Sequence, residues 1–253
     1  MKVSFAVALS FIPGAIAALA LSVLYAFPGL LVFLGTVAIW WIFIVVAHFF
    51  FSLSKIHLLL HLSTSFSLIS LLSLVEWQFL VVLIVFLSVF FFSFIWRLST
   101  EKSRLKQGLE YKMWRRIVMM LWVFNAYAWL TMFFSLPIFF QQVPSLLISV
   151  AGGACAALAA IMIWRLYFNV EKRAFVFWGV ITAVIMFEVM WSMHYLSLGY
   201  FSLGLLATWL WYMLQLFIRF NMTKGGILWK KQYGFLAMNA VLFAITLSLV
   251  RWI

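Results

Sequence analysis

The run MFEVMWSMHYL, Met186 to Leu196, sets Glu188 and His194 inside an apolar stretch. A carboxylate in hydrocarbon costs about 2.5–3.5 kcal/mol near the bilayer centre even on permissive scales. Three chemistries would account for it. One is a structural hydrogen bond or ion pair that fixes helix packing, and this is the plainest reading. The second is a proton- or cation-binding carboxylate in a transport path. The third is a contact with lipid headgroups. Helical spacing puts Glu188 on a face with Ile181, Val184 and Tyr195. His194 lies about 120° around the same helix, so the stretch does not encode a Glu–His dyad. Partners must come from other helices. Thr131, Thr208 and Ser248 match it in depth, and Arg251 could reach down from the end of the last span. Glu188, Arg251, Thr131 and His194 therefore form the candidate ionisable site.

A second set is histidine-based. His57 and His61 are one helical turn apart, and His48 lies upstream near the end of another apolar run. Histidines at this spacing can bind metal. No cysteine or carboxylate nearby completes a site, so a three-histidine metal centre or a haem is the weaker alternative to histidines at the headgroup level. We expect no cofactor. Ser63, Ser67 and Ser70 add a polar line to the same segment, which predicts that it faces protein rather than lipid. Asn125, Gln215 and Asn239 could form an interhelical cluster, and Trp40, Trp41, Trp129, Trp209 and Trp211 either line a cavity or fill an aromatic core.

These residues are carried by a chain of 253 residues that is 68% hydrophobic and 9% charged. Soluble domains are about 45–50% apolar and about 25% charged. Apolar runs here reach the length that a helix needs to cross about 30 Å of hydrocarbon. They are continuous rather than alternating, which favours helices over a barrel. The expected fold is an all-α polytopic bundle. Nine spans are predicted, at about 3–27, 29–53, 57–75, 77–97, 117–140, 144–165, 174–195, 197–219 and 233–252. The first has the lysine and small residues of a secretory signal, but its apolar run continues to Phe27 and is long enough to span.

Charge gives the orientation. With the N-terminus inside, the inner segments hold 16 of the 17 Lys and Arg, and only Arg251 falls outside. This is the asymmetry of the positive-inside rule, so the predicted topology is N-in and C-out in a cell membrane. The net charge of +12 is then assigned to topology and anionic headgroups, not to nucleic acid. The chain reads as one integral membrane domain: a four-span half (1–98), a basic amphipathic linker helix at the cytoplasmic face (99–116) and a five-span half (117–253).

Small residues recur at packing intervals. Gly14 and Ala18 share a face in the first span, as do Gly152, Ala156 and Ala160, and Gly153 and Ala157, in the sixth. Such faces let two helix backbones approach closely. The first and sixth spans run in opposite senses, which raises an inverted repeat, though no aligned motif supports one.

Aspartate is absent, and so are a P-loop, HExxH and GxSxG, which disfavours the common membrane enzymes. The segment from EVMWSMHYLSLGY to the terminal SLVRW resembles uncharacterised multi-spanning proteins of ultra-small bacteria of the candidate phyla radiation. The resemblance covers the C-terminal third and implies no activity. Two functions are expected from the residues. One is a carrier or lipid-handling protein with Glu188 as its ionisable site. The other is a non-catalytic subunit of a larger membrane assembly, with partner proteins or further copies on its small-residue faces.

Overall fold

The computed structural model describes residues 2–27, 29–50, 55–101, 109–168, 172–222 and 229–249. Every regular element among them is an α-helix. In chain order these are α1 (Lys2–Ala26), α2 (Leu30–Phe50), α3 (Lys55–Leu74), α4 (Gln78–Glu101), α5 (Leu109–Phe139), α6 (Ser145–Tyr167), α7 (Lys172–Met193), α8 (Tyr200–Asn221) and α9 (Trp229–Leu249). Helix is the form dictated by hydrocarbon, because it satisfies each backbone polar group within its own segment. Seven of the described helices, α2 to α8, are long and apolar enough to cross a membrane. Shorter apolar stretches mark α1 (Phe11–Ala26) and α9 (Leu236–Ile245). The 99–116 segment falls on the end of α4, the start of α5 and residues 102–108, which lie outside the described set.

The chain divides into two compact units, Met1–Leu121 and Trp122–Ile253, with the boundary inside α5. In unit 1, α1 packs most extensively on α4, and α3 touches α1, α2 and α4. α3 is the enclosed helix of the set: 72% of its His57–Leu74 span is buried, against 22% for the span of α2. Its hydroxyls explain this placement. Ser67 donates to the Ser63 carbonyl, Ser65 donates to that of Leu62, and Ser63, Thr64, Ser67 and Ser70 are all buried. In unit 2, α6 packs most extensively on α7, and α8 packs on both.

Small residues sit at both main contacts. A Cβ on Gly14 would lie 2.5 Å from the Val89 carbonyl oxygen and from Ser93 Oγ of α4. Ala18, one turn on, is half-buried, while Ala17 and Leu21 are fully buried. On α6, a Cβ at Gly153 would lie 2.5 Å from the Ala183 carbonyl oxygen of α7, and one at Gly152 would run into the Met190 side chain. Ala156, Ala157 and Ala160 continue this buried face.

The nature of each obstacle sets the cost of filling it. At Gly153 the obstacle is backbone, which cannot rotate away. Gly153→Ala is expected to destabilise unit 2 by about 1–3 kcal/mol through overpacking. Gly35, with nothing within 4 Å of its Cβ position, should accept alanine without loss. Thermal unfolding of the two variants in one detergent checks the contrast.

Candidate functional site: a buried histidine pair

The strongest convergence of titratable groups lies in unit 1. His48, near the end of α2, and His61, in the second turn of α3, are 4% and 2% exposed. His48 Nε2 and His61 Nδ1 are 2.7 Å apart, a hydrogen bond whose proton sits on one ring or the other. The rings meet edge-on, with centroids 4.9 Å apart. Phe92 of α4 stacks on His61 at 5.6 Å. A cavity of about 10 Å³ lies beside the pair, lined by both histidines with Pro13, Trp40, Phe43, Ile44, Phe92 and Trp96. Such a space is roughly that of one water molecule. Each of α1 to α4 contributes to this wall.

The two outer ring nitrogens, His48 Nδ1 and His61 Nε2, are buried and have no hydrogen-bond partner among the described residues. A buried polar atom left unpaired costs about 1–3 kcal/mol. The pair is thus incomplete at both ends while joined in the middle. Trp41, outside the cage, donates to Ser65 Oγ at 3.0 Å and ties α2 to α3.

The histidine-metal alternative has a geometric answer. A tetrahedral ion held at about 2.0–2.1 Å from two nitrogens sets them roughly 3.3 Å apart. The 2.7 Å separation suits a proton and not an ion between them. His57 is buried against Trp114 of α5, with ring centroids 6.1 Å apart. Among the described residues no three His, Cys, Asp or Glu side chains converge as a metal-holding group.

Among the described residues, no hydrogen bond or ion pair joins Glu188 to Thr131, Thr208, His194 or Ser248. Glu188 lies on the exposed face of α7 with Phe177, Val180 and Val184, and no hydrogen bond or ion pair joins it to another described residue. Thr131 is fully buried against Gly204 of α8, where a Cβ would strike its side chain. His194 turns to its own helix, its Nδ1 2.7 Å from the Met190 carbonyl oxygen, and its ring packs on Phe134. Thr208 donates to the Gly204 carbonyl and Ser248 to that of Ile245. Arg251 lies outside the described residues.

Asn239 accepts a hydrogen bond from Trp209 Nε1 at 3.1 Å, while both amide atoms of Gln215 are buried without a partner among the described residues. Trp211 donates to the Ala156 carbonyl at 2.9 Å, pinning α8 to the small-residue face of α6.

Sequence reading grouped His48 and His61 with His57 as possible metal ligands rather than as a hydrogen-bonded pair, and it missed the cage of Pro13, Phe43, Phe92 and Trp96. The available signal was His48 near the end of one apolar helix and His61 near the start of the next. A short connection between antiparallel spans places such residues at equal depth. No family model, no curated protein and no solved structure matches the chain.

The hydrogen bond between the rings should be measurable in stability. His48→Phe keeps an aromatic ring but removes the bond between α2 and α3 at His61, and is expected to cost about 1–3 kcal/mol. Trp41→Phe, at a side chain that is 37% exposed, should cost about 1 kcal/mol or less. Denaturation midpoints of the two variants in detergent give the comparison.

Proposed function

We propose that the chain is a nine-span integral membrane protein, N-in and C-out, that serves as a non-catalytic subunit of a larger assembly in a cell membrane. One observation carries this reading: Glu188 faces outward on a span that is otherwise apolar. Only 28% of the α7 span is buried within the chain, so the carboxylate would meet lipid in an isolated copy. A neighbouring membrane helix that offers a basic or hydrogen-bonding group at the same depth removes the cost of that exposure. A carboxylate serving an internal transport path would instead be turned into the bundle. The basic inner loops add contact with anionic headgroups.

A second reading, a carrier for a small polar species, is favoured by the histidine pair and its cavity in unit 1. In that case the ionisable site is His48–His61 and not Glu188.

Native mass spectrometry of protein gently extracted from its own membrane separates the two. The expected result is a membrane partner at fixed stoichiometry, lost in Glu188→Leu. That substitution should leave the isolated chain folded with stability within about 0.5 kcal/mol, as for an exposed position without partners. A wild-type chain that runs alone, or a Glu188→Leu complex identical to wild type, would remove the assembly role from this residue.

A further inference from the structure

We infer that His48 and His61 form a two-imidazole proton relay in the membrane-embedded core of unit 1. The inference goes beyond the assembly reading and does not depend on any partner protein. It follows from counting protons on the pair. A neutral imidazole carries one N–H and one lone pair. One proton occupies the 2.7 Å bond between His48 Nε2 and His61 Nδ1. When His48 Nε2 holds it, His48 Nδ1 is a lone pair and His61 Nε2 is an N–H. When His61 Nδ1 holds it, the two ends exchange roles. The neutral pair therefore always presents one acceptor end and one donor end, and these are the two nitrogens that the fold leaves unpaired.

The transfer balances. A hydronium ion gives its extra proton to His48 Nδ1 and is left as water. The shared proton crosses from His48 Nε2 to His61 Nδ1. The proton on His61 Nε2 passes to a second water. Two N–H bonds form and two break, the pair ends neutral as it began, and nothing is oxidised or reduced. Resetting requires the rings to turn, so the relay is slower than a continuous water wire.

The surroundings favour a relay over a static bond. The adjoining cavity, lined by both rings, has room for about one of the two waters that the transfer uses. Among the described residues its lining holds no carboxylate, lysine or arginine to trap a proton. Among the described residues, His57, one turn before it on α3, also acts on His61, both as a titratable neighbour and through a hydrogen bond to its backbone. Arg97, next to Trp96 on α4, is exposed. Beyond the pair, α3 continues with the buried hydroxyls of Thr64, Ser67 and Ser70, each able both to donate and to accept.

The test uses the full chain in vesicles of phosphatidylethanolamine and phosphatidylglycerol, with a pH-sensitive dye inside and a potassium diffusion potential set by valinomycin. Wild-type vesicles should acidify several-fold faster than protein-free ones. His48→Gln and His61→Gln keep a hydrogen-bonding head but cannot pass a proton through it, and should fall to the protein-free rate. Gly35→Ala, at an open position on α2, should keep the wild-type rate. A wild type no faster than empty vesicles, or a histidine variant at the wild-type rate, overturns the relay and leaves the assembly reading untouched. A second measurement needs no variant. Wild-type protein with 15N-labelled histidine should show a coupling between His48 and His61 nitrogens across their hydrogen bond, and its absence overturns the proposal as well.

Discussion

Close approach of helix backbones is the constraint on which the rest of this protein depends. In lipid the hydrophobic effect does not drive one apolar helix onto another, so association rests on van der Waals contact and the occasional polar link. Gly14 against Val89 and Ser93, and Gly153 against Ala183 and Phe187, are places where backbone meets its neighbour directly, as is Gly204 against Thr131. Each contact sits within one of the two compact units. In unit 1 the same α1–α4 contact brings Pro13 beside Phe92 and Trp96, and so closes the wall around the histidines. The packing and the candidate site are consequently one problem there.

Polar links then add direction to that packing. The bond from Trp211 to the Ala156 carbonyl requires the small face of α6, because a larger residue would hold the indole away. The bond from Trp41 to Ser65 sets α2 on α3 near the histidine pair. These links give specificity where shape alone, among helices rich in Leu, Ile and Phe, would leave several arrangements close in energy.

The helices were legible because a continuous apolar run of twenty residues admits little else in a bilayer. The enclosed position of α3 was legible too, since Ser63, Ser67 and Ser70 would be costly against lipid. The inward faces of most other spans were not. A helix such as α7 is apolar all round, so its sequence carries no stripe to separate core from lipid, and the outward turn of Glu188 could not be read from it. The His48–His61 bond was hidden for a related reason: it depends on the rotation of two helices about their own axes, which no spacing rule fixes. Small residues at Gly14 and Gly153 marked contact faces without naming the helices they would meet.

The contacts at Gly14 and Gly153 also imply an order of assembly. α7 follows α6 directly in the chain, so that pair forms a local hairpin that can zip together as soon as both helices are made. α1 has its main partner in α4, with two other helices in between. During synthesis the first helix must therefore wait for its main partner while α2 and α3 emerge beside it. The histidine cage, whose wall draws on all four, closes only when the last of them arrives. In a growing chain the N-terminal unit would thus be the later of the two to mature relative to its own synthesis, though it is the first to be made.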